Sequence, residues 1–362
     1  MKALILVGGF GTRLRPLTLS IPKPLVEFAN KPILYHQIEA LVRLGVKEII
    51  LAINYQPEVM MPQLKELEQK HGITIIQSQE EEPLGTAGPI RLAKELLLKD
   101  ATSPYFYVFN SDIVCEYSFD YFLDFHKSHG REASMLTTHV EDPSKFGVVV
   151  ANEDGQVMQF QEKPREFLCN RINAGLYIFN YSIIDKIQLR PSFLERDVFP
   201  KLAEEGQLFC TPLKGLWMDI AQPKDYITGT KLFLQFLRDQ CSDEIAKGDN
   251  IIGNVMIHPT AQVDISSVIG PNVVIGEGCI IQKGVRISDA IIFEKTLIKA
   301  HAFIRNSMIG RQSNIGQWVR IEGVSVVAED VFIKDEIFIN ESFILPHKNI
   351  SSSIPNAGTI VM

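Results

Sequence analysis

The sequence predicts an α/β domain on a mixed, mostly parallel sheet, followed by a parallel β-helix. Three observations predict it. A short apolar strand at residues 3–7 runs straight into a glycine-rich loop. Residues 1 to about 220 alternate apolar runs with amphipathic helical patterns, and beyond residue 250 the apolar period changes to six. A chain of 362 residues also exceeds one typical core, so two domains are expected.

The loop reads Gly8-Gly9-Phe10-Gly11-Thr12-Arg13-Leu14-Arg15-Pro16-Leu17-Thr18, and Pro22-Lys23-Pro24 follows. Glycines at 8, 9 and 11 let the backbone approach a polyphosphate and aim N–H groups at it, while Arg13, Arg15 and Lys23 supply cations. The loop lacks the Gly-Lys-Ser/Thr ending of a P-loop and the spacing of the dinucleotide fingerprint.

Further strands are expected at residues 48–53, 73–77, 106–109, 134–140, 147–150 and 173–179. Between them Ile33, Leu34, Ile38, Leu41 and Val42 keep helical spacing and stop at Gly45, and residues 88–98 read as one helix after Pro83-Leu84-Gly85-Thr86-Ala87. Such alternation gives a sheet covered on both faces, whose ligands sit at the carboxyl ends of the strands. Residues 8–13 and Asn110-Ser111-Asp112 both fall there.

A helical pattern from Pro223 to about Arg238 and a polar stretch at 240–250 mark a boundary, giving expected domains at 1–222 and 251–362 joined by 223–250. Ile251, Ile257, Val263, Ile269, Ile275, Ile281 and Ile287 then stand six apart. A second run holds Ile292, Ile298 and Ile304, and a third holds Ile309, Ile315, Ile321, Val327, Ile333, Ile339 and Leu345. One aliphatic residue per hexad turned inward marks a parallel β-helix, whose stacked coils share one core. The one-residue slips after Ile287 and Ile304 are expected to be short corner turns.

Composition narrows the function. The chain is 46% apolar and 22% charged with a net charge of −7, so it carries no electrostatic footprint for nucleic acid or an anionic membrane. Cys115, Cys169, Cys210, Cys241 and Cys279 form no C-x-x-C pair, which argues against a disulfide framework and a zinc site. No segment has the length of a membrane span, and only five apolar residues precede Gly8, so a cytoplasmic protein is expected.

The signature loop with Pro22-Lys23-Pro24 closely resembles that of the sugar-1-phosphate nucleotidyltransferases, which join a nucleoside triphosphate to a sugar 1-phosphate and release pyrophosphate. The resemblance implies a Rossmann-like catalytic domain, and the hexads resemble those of left-handed β-helices. Four segments resemble the mannose-1-phosphate guanylyltransferase branch, catalytic beta type: Glu81 to Gly88, Lys145 to Val149, Trp217 to Ile220 and Ile315 to Arg320. This implies GTP and mannose 1-phosphate as substrates, Mg²⁺ as cofactor, a homo-oligomer formed through the β-helix, and a regulatory alpha-type subunit as a candidate partner. Adenylyl or uridylyl transfer to glucose 1-phosphate, and a non-catalytic regulatory or scaffold subunit, are the alternatives. Ala221 stands where that family more often has glycine.

In such a transfer a phosphate dianion must approach a tetra-anion. The chemistry calls for charge neutralisation and positioning rather than a general base. Carried over by resemblance, Asp112 and Asp219 hold the metal, and Arg13, Lys23 and Lys163 are catalytic. The nucleotide side comprises Leu6, Gly8, Gly9, Gly11, Thr12, Arg13, Lys23, Glu80, Pro83, Gly85, Thr86 and Asp112. The sugar-phosphate side comprises Gly147, Glu162, Lys163, Asn173 and Gly175. Guanine presents adjacent donors that a carboxylate can accept, and Glu80 falls where related thymidylyltransferases place a base-reading glutamine.

Overall fold

Lys2–Leu6 is buried at every position, as a strand covered on both faces must be. It lies inside a nine-stranded sheet, parallel to Glu48–Ile53 on one side and to Tyr105–Asn110 on the other. Thr74–Gln79 continues the parallel half beyond Glu48–Ile53. On the other side Arg171–Asn180 runs antiparallel to Tyr105–Asn110 and pairs with both Ala133–His139 and Gly147–Ala151. Val157–Glu162 and Leu208–Pro212 complete the sheet. The structure is a computed structural model that describes residues 1–9, 11–53 and 57–362, with the backbone alone for residues 57–59 and 61. Phe10 of the signature loop lies outside the described residues.

By contact the chain divides into two units: Met1–Gly9 with Leu34–Trp217, and Phe10–Ile33 with Met218–Met362. The sheet belongs to the first. Its core gathers Leu4, Ile50, Phe106, Val108, Tyr177 and Phe179, all at 0% exposure.

The helix expected over 88–98 is two short helices, Gly88–Leu92 and Lys94–Leu98, because Ala93 leaves helical geometry at φ −77, ψ 6 and caps one while opening the other. Val157–Glu162 and Leu208–Pro212 were not foreseen. Val157–Glu162 fully buries only Val157 and Phe160, three apart rather than two, because a register shift between Val157 and Gln159 breaks the strand alternation.

In the second unit the helix Pro223–Asp239 precedes three parallel sheets of seven, six and five strands, the three faces of a parallel β-helix. Ile257 opposes Ile275, Val263 opposes Ile281 and Ile269 opposes Ile287, so one coil takes three hexads. The shortened corners are where expected: Ile275 opposes Ile292, and Ile292 opposes Ile309. Each short corner turns on one left-handed residue, Asp289 (φ 48°) and Asn306 (φ 49°).

The third run ends differently from expectation. Val327 opposes Ile344, which is 0% exposed, whereas Leu345 is only half-buried. A third short corner at Glu341 (φ 42°) removes one residue, and a one-residue slip hands the inward position to the neighbour. Among the described residues no helix is long and apolar enough to cross a membrane.

Ile344→Ala should therefore lose about 2–5 kcal/mol from the β-helix, as buried large-to-small changes do, and Leu345→Ala clearly less. Thermal melting of the two variants checks this; equal losses would restore Leu345 to the core.

Candidate active site

Pairing places the first unit's loops. Leu6 lies opposite Asn110 in the parallel register, Ser111 N–H donates to the Leu6 carbonyl at 3.3 Å, and Val7 N–H donates to Ala52 at 3.0 Å. The exposed Gly8 and Gly9 and the half-buried Asp112 thus leave neighbouring strands at the same edge. Gln37 Nε2 anchors that edge, donating to the carbonyls of Asn110 (2.8 Å) and Ile113 (3.3 Å).

The segment 80–87 is held from below. Glu80 is 4% exposed, and its Oε2 accepts the Leu84 N–H at 2.8 Å. Its Oε1 is buried and has no hydrogen-bond partner among the described residues. Burial pushes this carboxyl above its ordinary range, opposed by the Leu84 N–H. Gly85 has φ +78°, and a Cβ there would stand 2.3 Å from the Ser192 carbonyl, so only glycine fits both the turn and the approach. Pro83 is exposed, and Thr86 is half-buried and donates to Glu195 Oε2 at 2.6 Å.

Gly147 and Glu162 are cross-strand partners, and a Cβ at 147 would meet Phe160 Cζ at 2.5 Å and Glu162 Oε2 at 3.1 Å. Lys163, one residue past the strand, adopts a left-handed φ of 46° while its N–H donates to Phe146 at 2.9 Å. A non-glycine residue held there stores strain of the kind that gathers at functional sites. Its Nζ lies 3.5 Å from Glu162 Oε1, with the lysine 59% and the glutamate 20% exposed.

Asn173 Oδ1 accepts the Gly175 N–H at 2.9 Å, and its Nδ2 donates to the Tyr177 hydroxyl at 2.7 Å. Burial, then the nearby Glu195 and Glu162 carboxylates, push the Tyr177 phenol well above its ordinary value. The first unit thus brings Leu6, Gly8, Gly9 and Asp112 to one edge, and separately bonds Thr86 to Glu195, Asn173 to Tyr177 and Lys163 to Glu162.

The rest of the expected site belongs to the second unit. Gly11 (φ +59°) caps the short turn Thr12–Leu14, and its carbonyl accepts from Thr18 Oγ1 at 2.7 Å. A Cβ at Gly11 would lie 3.1 Å from Lys23 Cβ, so loop and lysine are packed together. Thr12 and Arg13 are exposed, and Lys23 is half-buried. Asp219 Oδ1 accepts the Ala221 N–H at 2.9 Å. That donor is backbone and Ala221 is not among the positive-φ residues, so alanine serves where glycine is commoner.

After Lys23 the hairpin Glu27–Phe28 with Lys31–Pro32 packs onto the helix and the β-helix of its own unit. Phe28 meets Tyr226 and Phe233 edge to face at 5.5 and 5.3 Å, and the Tyr226 hydroxyl donates to the Glu27 carbonyl. Asn30 Nδ2 donates to the Ile275 carbonyl at 3.0 Å. The Glu27 carboxyl is pushed up to about 7 by burial first, then by Glu294 and Glu277, against the opposing pull of Arg311 and Lys295.

Sequence reasoning missed Gln37, Tyr177 and Glu195, and none of the three carries a motif. Trp217 opens a segment already singled out by resemblance, but it was given no role of its own; its Nε1 donates to the Ala174 carbonyl at 3.0 Å. Each of these residues acts through a partner at least forty residues away or through a buried hydroxyl, and no local spacing reveals that. Asp112 and Asp219 offer hard carboxylate oxygens, and no group of three or more His, Cys, Asp or Glu gathers among the described residues. Either carboxylate by itself suits a hard cation, which takes one or two such groups and completes its shell with water and phosphate oxygens.

Comparison with known proteins identifies the class. Residues 2–235 match the nucleotidyl transferase family, and residues 251–360 match the GMPPB C-terminal domain. The chain belongs to the nucleotidyl transferase family. It is 54% identical over 355 residues to mannose-1-phosphate guanylyltransferase 1 of Arabidopsis thaliana, covering 98% of both chains. It is 50% identical over 362 residues to the mannose-1-phosphate guanylyltransferase catalytic subunit beta of Xenopus tropicalis, covering all of both. Among solved structures, HddC from Yersinia pseudotuberculosis complexed with GMP-PN is 31% identical with a TM-score of 0.53, covering 64% of this chain and 99% of that one. Enzymes of this family generally use a divalent metal.

Glu27 gives a pH prediction. Its folded value lies above the ordinary carboxylate value of 4.5, so its contribution to stability is complete below that value and is lost as pH rises through about 7. Glu27→Gln stays neutral throughout, so it should melt above the wild type at about pH 8 and show a shallower decline between acid and neutral pH. Parallel melting curves at every pH would contradict this.

Proposed function

We propose that the chain transfers GMP from GTP to mannose 1-phosphate, forming GDP-mannose and pyrophosphate. The observation that carries the reading is the end-to-end identity of about half with relatives of that name, together with the intact loop, Lys23, Asp112, Lys163 and Asp219. A scaffold subunit need keep none of those residues. Incubating the protein with each nucleoside triphosphate and each sugar 1-phosphate, and measuring pyrophosphate release, tests it; release with another pair and not with this one would replace it.

In the proposed reaction an oxygen of the sugar phosphate attacks the α-phosphorus in line. The new P–O bond forms as the bond to the β-phosphate oxygen breaks, and pyrophosphate leaves with that electron pair. The nucleophile is already largely a dianion near neutral pH, its second pKa being about 6, so no side chain has to remove a proton. The backbone N–H groups of Gly8, Gly9, Gly11 and Thr12 and the cations of Arg13 and Lys23 hold the triphosphate, with Leu6 beneath. Glu80, Pro83, Gly85 and Thr86 take base and ribose.

Gly147, Glu162, Lys163, Asn173 and Gly175 take the sugar phosphate. The Lys163 cation stands 3.5 Å from Glu162 Oε1, beside its neighbour in that group. Asp112 and Asp219 would hold Mg²⁺, which supplies positive charge against the accumulating negative charge on phosphate oxygens when bound. Further parts of the reading are domains at 1–222 and 251–362 joined by 223–250, a cytoplasmic location, a homo-oligomer built through the β-helix, and an alpha-type regulatory partner.

Lys163→Ala should mainly raise the KM for the sugar phosphate, whereas Lys23→Ala should damage the nucleotide half of the reaction. Steady-state kinetics with each substrate varied separates the two, and equal shifts in both constants for both variants would end this division.

Glu80 supplies the second check. Its Oε1 is buried without a hydrogen-bond partner among the described residues, so an arriving donor would be favourable there, and guanine offers two. Glu80→Gln should cost about 1–3 kcal/mol of base discrimination, lowering the GTP/ATP preference roughly tenfold or more. An unchanged ratio of kcat/KM values would move base selection elsewhere.

A further inference from the structure

Glu195 was invisible in the sequence, yet it stands where two parts of the proposed site meet. It lies in Leu194–Val198, a π-helical turn, a rare geometry that recurs at functional positions. Its Oε2 accepts the Thr86 hydroxyl at 2.6 Å, and that hydroxyl oxygen accepts the Leu194 N–H at 2.8 Å. Two more bonds tie the same segments: Ser192 N–H to the Leu84 carbonyl and Ala87 N–H to the Ser192 carbonyl, both at 3.0 Å. With Gly85 pressed against Ser192, residues 84–87 are clamped along 192–195 over their whole length.

The same carboxylate faces the other half. Burial raises its pKa first, the Thr86 hydroxyl lowers it, Glu162 raises it and Lys163 lowers it. Tyr177, held by Asn173, feels both Glu195 and Glu162. The turn Leu194–Val198 also packs against the strand Val157–Glu162, so it touches both the segment assigned to the nucleotide and the strand that ends in the sugar-phosphate pair.

We propose that Glu195 is a positioning residue that, through Thr86, fixes the 83–87 segment relative to Glu162 and Lys163 and so sets the separation of the two substrates. This rests on the assignment of those segments under the proposed function. Thr86 spends its proton on Glu195, so the carboxylate decides which way the Thr86 oxygen points. In-line attack is sensitive to separation, and a shift of about 1 Å can cost on the order of a hundredfold in rate.

The test uses the full-length protein and four variants: Glu195→Gln, which keeps an acceptor oxygen; Glu195→Ala; Thr86→Ser, which keeps the hydroxyl; and Thr86→Val. Pyrophosphate release is measured with each substrate varied, on whichever nucleotide and sugar phosphate the wild type uses. Glu195→Ala and Thr86→Val should each lower kcat roughly tenfold to a hundredfold with both KM values changed far less, and the Gln and Ser variants should recover most of the loss.

A double variant, Glu195→Ala with Thr86→Val, should be no worse than either single one, because both break the same link. Wild-type kcat in Glu195→Ala, even with a lowered melting temperature, would make the bond a structural staple only and overturn the proposal. So would Glu195→Gln as damaged as Glu195→Ala, since the charge itself would then matter. Wild type turning over a different substrate pair would overturn the GTP and mannose 1-phosphate reading while leaving this comparison intact. A wild type inert on every pair would overturn both.

Discussion

Everything at the candidate site depends on the parallel pairing of Lys2–Leu6 with Tyr105–Asn110. Backbone hydrogen bonds fix Leu6 beside Asn110, and side-chain period fixes which face each residue serves. A two-residue slip would keep every apolar residue on its correct face, yet it would move Gly8 and Asp112 apart by about two residue rises, roughly 6–7 Å. The Ser111 N–H to Leu6 bond and the Gln37 amide, which grips the Asn110 and Ile113 carbonyls, lock the strand ends as well as their middles.

The second unit builds its own part of the signature loop. Arg13 and Lys23 come from a loop whose shape depends on Gly11 fitting against Thr18 and Lys23. That loop runs on into the hairpin at Glu27, which Phe28, Tyr226, Phe233 and Asn30 fasten to the helix and β-helix of the second unit. The β-helix therefore takes part in holding the segment that follows the signature, whatever else it does.

Much of this was legible in the sequence. The strands ending at Leu6 and Asn110 could be read from short apolar runs, and the coils from a six-residue period that survives two slips. The third slip was missed because Ile344 and Leu345 are adjacent and both aliphatic; only the left-handed Glu341 decides which one turns inward. Val157–Glu162 was missed because a register shift after Val157 breaks its alternation. At the site, glycines and charged motifs announced themselves by residue type. Tyr177 and Glu195 could not, since a buried tyrosine in an apolar strand and an acid in Leu194-Glu195-Arg196-Asp197 look like core and surface until Asn173 and Thr86 are seen bonded to them.

The proposal that the strand pairing sets Asp112 beside Gly8 and Gly9 as a metal-holding carboxylate is tested by pyrophosphate release by Asp112→Asn at saturating Mg²⁺, on protein that melts like the wild type. The substitution keeps size and hydrogen-bonding reach while removing one charge. A metal-holding role predicts a loss on the order of a hundredfold or more in kcat, with the fold intact. Turnover within a few-fold of the wild type would contradict it, and would reduce Asp112 to a turn residue at the end of its strand.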